Sequence, residues 1–427
     1  MLRWRQPSSC LKWFDRGTHE NPLHHVFLRS RGAPCPQTLS RLGALANTAR
    51  QRLESAGYVV QTLRLATIPF PRMVPTCCND SLVQLAQSLG QAGAGLGFDY
   101  VSVGPALPDE PGSYPLIPAI LAAAPNLFCS GVMASPEAGI SLPAVDACAR
   151  VIAEAASLEP DGFANLRFAA LGNVPSGSPF FPAAYHQPGM PPAFALAMEC
   201  ADVALAAFRL APTLEEGRRV LVATLEEHAR ALDAVLLPLA GETGFDFLGY
   251  DFSPAPHPDP ACSLGAALEA MGAAPLGQMG SLAAAALLAD ALDRGRWRRT
   301  GFNGLMLPVL EDAVLARRAA EGTLTVRDLL LFSAVCGAGL DTVPLPGDVT
   351  AGELQPLLLD VAALSLRLNK PLTARLMPIP GKKAGDATTF TFDYFANGAV
   401  MDLPARPLAG GLADGQATLA LHPRPVR

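Results

Sequence analysis

From position 38 onward, short β-rich runs alternate with apolar stripes of helical period, and that alternation restricts the chain to an α/β architecture. Over 38–55, Leu39, Leu42, Leu45, Ala46, Ala49 and Leu53 recur at three and four and Gly57 follows as a stop, which predicts a helix. The run 59–66 then alternates until Pro69 and Pro71 close it, predicting a strand. Continuing in this way, helices are expected over 82–89 and 115–124 and from Ser135-Pro136-Glu137 through 155, and strands over 99–103, 126–133 and 165–171. Alanine-rich 192–210 predicts a long helix, and Thr213 with Glu216 caps another reaching about 239. Capping-box spacing recurs at Thr325/Asp328 and Thr350/Glu353, each opening a helix. Residues 372–377 are expected as a strand, and 390–395 (FTFDYF) alternates strongly enough to predict another.

Length allows a single large α/β domain, and 50% hydrophobic against 16% charged residues fits a large core or interface. The formal charge of −6 lacks the basic face that nucleic acid requires. No apolar run approaches the roughly 18 residues of a membrane span, and the alanine-rich 282–292 reads as a core helix. The nine cysteines have no zinc-like spacing, and their odd number suggests reduced thiols in a cytoplasmic protein. Three regions follow: an irregular N-terminal arm over 1–36, an α/β domain over 37–403, and a Pro/Gly-rich peripheral tail over 404–427.

Candidate site residues gather where buried elements stop. Between 301 and 383 the apolar runs end at turns carrying Glu311, Asp312, Cys336, Asp341, Asp348, Lys370, Arg375, Lys382 and Lys383. Cys336 ends a helix, where the macrodipole disfavours a thiolate, so it reads as a buried structural cysteine, as a thiol activated by a nearby cation, or as a metal ligand. Asp341 and Asp348 bracket a Pro-Gly turn that would bring both carboxylates to one rim, for proton transfer, for a divalent cation, or merely to satisfy loop amides. The chain has 28 Arg but four Lys, three of them being Lys370, Lys382 and Lys383. That clustering, with Arg375, suggests an anionic ligand, and an exposed turn is the alternative. The proline-rich 244–260 would deliver Asp251 and Ser253 to the same pocket on a buried strand.

VQTLRLAT, FDYVSVGP, FCSGVM, GYDFSPAP, GFNGLMLPVLED, LLLFSAVCGAGLDTVPLPGD and KPLTARLMPIPGKKAGD together resemble the domain of unknown function 711 family over about 57–401. The resemblance implies a single α/β barrel of about ten strands, similar to that of pyruvate formate-lyase-like glycyl radical enzymes, and a homodimer. Glycyl radical chemistry is not implied, because the nearest candidate motif, Asn397-Gly398-Ala399, lacks the arginine and the aromatic residue. Two functional readings follow. One is an enzyme acting on a small carboxylated or phosphorylated metabolite, with Lys370, Arg375, Lys382 and Lys383 on the anion and Asp341, Asp348 and Cys336 doing chemistry. The other is a non-catalytic dimeric metabolite-binding or structural protein.

Overall fold

The computed structural model describes residues 36–73, 79–273, 275–335 and 338–423, together with the backbone of 2–4 and 23–27. In chain order the elements that frame the site are β1 (Leu23–Phe27), α1 (Pro36–Ser55), β2 (Thr62–Ala66), α2 (Asn79–Gly95), β3 (Tyr100–Ala106), α3 (Ile117–Ala123), β4 (Leu127–Ser135) and α4 (Leu142–Ala155). They continue with β5 (Phe168–Gly172), β6 (Ala193–Glu199), α5 (Ala201–Leu210), α6 (Leu214–Thr243), β7 (Asp246–Ala255), α7 (Leu264–Ala270) and α8 (Ser281–Arg294). The last are α9 (Ala313–Ala320), α10 (Val326–Ser333), β8 (Gly339–Pro346), α11 (Ala351–Arg367) and β9 (Leu372–Ile379). The strands form one mixed sheet in the order β7-β6-β1-β2-β3-β4-β5-β9-β8. A parallel block from β1 to β5 is flanked at each side by a parallel pair running the opposite way, with antiparallel joints at β6/β1 and β5/β9.

Helices cover the outer face because their apolar stripes need it. On α1 the expected stripe of Leu39, Leu42, Leu45, Ala46, Ala49 and Leu53 is buried, and Gly57 at φ 88° turns the chain back into the sheet. Both capping boxes form: Thr325 with Asp328 starts α10, and Thr350 with Glu353 starts α11. Among the described residues no helix is long and apolar enough to cross a membrane.

Four expectations need correction. The N-terminal arm contributes β1, which sits in the middle of the sheet between β2 and β6. The 192–210 segment is not one helix: Ala193–Glu199 is a strand buried along its whole length, and only Ala201–Leu210 is helical. A strand covered on both faces loses the polar alternation that distinguishes it from a helix. The chain at Ser135 is still strand, pairs with Gly139–Ser141, and reaches α4 only after the Ser141 cap. The alternating 390–395 run is irregular: Phe390, Phe392 and Phe395 surround Phe163 at 5.0–6.3 Å, and Asn397 supplies the hydrogen bonds a strand partner would have made to Phe390. The tail is largely exposed, but Thr418–Leu419 pairs with Gly139–Ser141.

The outer strands β7 and β8 are not paired with each other among the described residues, so the strand hydrogen bonds do not close a barrel. One length of chain, 298–310, bonds to both. It exchanges backbone bonds with Tyr250 of β7 through Arg298 and Thr300, and then donates from Val309 to the Asp341 carbonyl of β8. Asp251 anchors the crossing: its carboxylate accepts from the amides of Phe302 at 2.6 Å and Asn303 at 2.9 Å and from the Ser253 hydroxyl at 2.6 Å. That hydroxyl in turn accepts from the Gly304 amide at 3.0 Å. Burial pushes the Asp251 carboxyl up, while these four donors, counting the Ser253 amide, pull against it.

Candidate functional site

The sheet curls so that strands β2 to β9 all contribute side chains to one cavity of about 980 Å³ including its open mouth. Strand alternation explains how: Arg64, Tyr100, Phe128, Ala169, Thr373 and Arg375 all stand on the inner face. The walls are aromatic and the charges are few, as in small-molecule sites generally.

Arg375 is 8% exposed and sits between two carboxylates. Its Nη2 donates to Glu311 Oε1 at 2.8 Å and its Nε to Asp341 Oδ1. Burial opposes the Arg375 charge, but Asp341 and Glu311 outweigh it and the guanidinium is held above its ordinary range. Glu311 is the poised member of the group. Burial raises its carboxyl to about 7, with Arg375 pulling down and Asp341 pushing up. Its position is set by its neighbour: Asp312, fully buried, caps α9 by accepting from the Val314 and Leu315 amides and also takes the Ser263 hydroxyl at 2.6 Å and the Gly265 amide at 3.0 Å.

Arg64 lies in the same cavity in a different setting. Its Nε donates to Thr62 Oγ1 at 3.0 Å, and its guanidinium carbon lies 5.2 Å from the Tyr100 ring centre and 5.5 Å from that of Phe181. Among the described residues no carboxylate forms an ion pair with it, in contrast to Arg375. Burial brings the guanidinium down to about 10. Glu199 at the end of β6, 7% exposed, also lines the cavity, and its charge acts on Arg64 and on Tyr394.

Of the residues singled out from the sequence, Glu311, Asp341 and Arg375 line this cavity, while Asp312 is the buried cap of α9. Asp251 and Ser253 are fully buried in the crossing described above and do not line it. The expected carboxylate pair is not formed: Asp341 lies within β8 and bonds Arg375, while Asp348 is exposed past the end of the strand. The expected lysine cluster does not line the cavity either. Lys370 is half-buried with Nζ 3.4 Å from the Ala334 carbonyl, Lys382 reaches the Ala387 carbonyl at 2.9 Å, and Lys383 is exposed. Cys336 lies outside the described residues. The described cysteines Cys129, Cys148, Cys200 and Cys262 are buried, and burial raises the first three thiols. Among the described residues no group of three or more His, Cys, Asp or Glu is placed to hold a metal ion. Arg64 was missed as a site residue, its signal being an arginine inside the apolar strand TLRLA, and Glu311 was noted at its turn but given no role.

A curled mixed sheet with a charged, aromatic-walled interior defines an α/β protein with a cavity built on its inner face. The chain belongs to the family described as "Uncharacterised ACR (DUF711)", whose model matches residues 34–395. It is 33% identical over 372 residues to a UPF0210 protein of Pyrobaculum islandicum, covering 83% of this chain and 81% of that one. It is 29% identical over 361 residues to a UPF0210 protein of Methanococcoides burtonii, covering 81% and 80%. A UPF0210 protein of Pyrobaculum aerophilum is 39% identical over 263 residues, a match that spans 60% of this chain and 57% of the relative.

Proposed function

We propose that the cavity binds a small metabolite through an anionic group, a carboxylate or a phosphate, held by Arg64, and that Glu311 exchanges a proton with the bound molecule. The observation that carries this is the contrast between two arginines in one cavity: Arg375 has both carboxylates, whereas Arg64 is desolvated and makes no ion pair with any described carboxylate. A buried guanidinium costs several kcal/mol unless a counter-charge reaches it, and the open side of this one is the cavity. Glu311 then stands in the same space with a carboxyl near 7, where it both accepts and gives up a proton at neutral pH. In this reading Arg375 and Asp341 are positioning residues that fix the Glu311 carboxyl.

Calorimetric titration with small carboxylates and inorganic phosphate tests the binding half. Expected is saturable binding that Arg64→Gln weakens by about tenfold or more. Binding unchanged in that variant, or none to any such anion, overturns the reading. An enzyme is favoured over a passive binder by the poised Glu311, and proton exchange into a bound ligand from deuterated solvent, lost in Glu311→Gln, is its readout. The closed barrel and the homodimer belong to the same proposal: sedimentation equilibrium is expected to return twice the 44.6 kDa chain mass.

A further inference from the structure

Resting on the reading of Arg64 as the anion receptor, we infer that the ligand is amphoteric: a small amino acid-like molecule with an aromatic or bulky apolar body, its carboxylate on Arg64 and its ammonium on Glu199. Three observations converge on it. The first is placement. Leu23 of β1 pairs with Thr62 of β2 on one side and with Ala197 of the antiparallel β6 on the other, so Glu199 stands two residues beyond the level of the start of β2, two strand spacings or about 10 Å across the sheet. Arg64 lies two residues along β2 in the opposite direction, an offset of about 13 Å along the strands, and both side chains line the cavity. An α-amino acid with a hydrogen bond of about 3 Å at each end spans about 8 Å between donor and acceptor groups, and the long Arg64 and Glu199 side chains close the distance between their strands enough for the Glu199 charge to act on Arg64.

The second is charge balance. Among the described lining residues, Arg64 and Arg375 stand against Glu199, Asp341 and a Glu311 carboxyl that burial raises to about 7. Those charges nearly cancel. A plain monoanion leaves an uncompensated charge in a buried space, whereas a zwitterion brings both signs and leaves the balance as it was. The third is the wall. Tyr100, Phe128, Phe181, Phe302 and Tyr394 face the space between and around the two poles, and aromatic surface takes an aromatic or branched side chain better than a polar one.

The experiment uses the full chain and three probes that differ by one group: L-phenylalanine, 3-phenylpropionate without the ammonium, and 2-phenylethylamine without the carboxylate. Calorimetry at pH 7.5 is expected to give L-phenylalanine about tenfold or greater advantage over each of the others. Glu199→Gln is expected to erase the advantage over 3-phenylpropionate while leaving 3-phenylpropionate itself within about twofold, which also shows that the variant is folded. If 3-phenylpropionate binds the wild type as tightly as L-phenylalanine, or if the advantage survives Glu199→Gln, the amphoteric assignment is overturned while the anion receptor stands. If neither carboxylate binds, or both bind equally well to Arg64→Gln, the anion receptor falls too, and the inference with it.

Discussion

Replacing each cavity arginine by methionine should move stability in opposite directions, because the two guanidinium groups are solvated by different partners. For Arg64, burial lowers the guanidinium to about 10, which corresponds to about 3 kcal/mol against the charged form. The rings of Tyr100 and Phe181 return about 1 kcal/mol of that, and the bond to Thr62 about 1 kcal/mol more. Methionine keeps the aliphatic stem against the rings, so Arg64→Met is expected to stabilise the ligand-free chain by about 1 kcal/mol and raise Tm by about 1–2 °C. Arg375→Met instead strands the Glu311 and Asp341 carboxylates in the cavity and is expected to cost about 3–5 kcal/mol. Differential scanning calorimetry on both variants at pH 7.5 reads the two signs side by side. A fall in Tm for Arg64→Met comparable to that for Arg375→Met would show that Arg64 has a counter-charge of its own, and would remove the reason for assigning it a ligand.

Glu311 gives a pH-dependent test. Its carboxyl, near 7 when folded and about 4.3 in an unfolded chain, binds more protons in the native state between those values, so its contribution to stability is fullest below about pH 4 and is lost as pH rises through 7. Glu311→Gln should therefore gain Tm relative to wild type from pH 5 to pH 8, and a flat difference would refute the raised carboxyl. Gly301 adopts φ 74°, and a Cβ there would lie 2.2 Å from Asp251 Oδ2, whereas Gly244 at φ 72° has nothing within 4 Å. Gly301→Ala is accordingly expected to lose well over the roughly 1 kcal/mol that the backbone conformation alone costs in Gly244→Ala, as measured by urea denaturation. Lys382→Ala and Lys383→Ala, whose side chains lie outside the cavity, should leave carboxylate affinity within about twofold in the same titration that tests Arg64.

What the sequence discloses here depends on whether a signal is local. The capping boxes at Thr325 and Thr350 involve side chains three residues from the amides they bond, so they read directly. The same is true of the α1 stripe. Strand β6 did not read, because burial on both faces leaves an alanine-rich run with no polar alternation, and the alternation at 390–395 arises from aromatic packing on the distant Phe163. Arg375 and Asp341 were visible as charges inside or beside strands. That Arg64 shares their cavity depends on sheet curvature that brings residues 64, 311, 341 and 375 together, and no short stretch of sequence encodes it. Asp251 and Ser253 show the converse error: buried polar residues on a strand look catalytic, yet here their oxygens are taken up by the Phe302, Asn303 and Gly304 amides.

The crossing at 298–310 also bears on how this chain avoids its neighbours. A curled sheet with two unpaired margins offers each of them as a template on which another polypeptide can add a strand. Here both margins are engaged by the chain itself, through the backbone of Tyr250 on one side and of Asp341 on the other. Loosening that crossing by shortening the loop or removing the Asp251 anchor would uncover both margins at once. Aggregation during expression, rather than a modest loss of melting temperature, is the phenotype to look for.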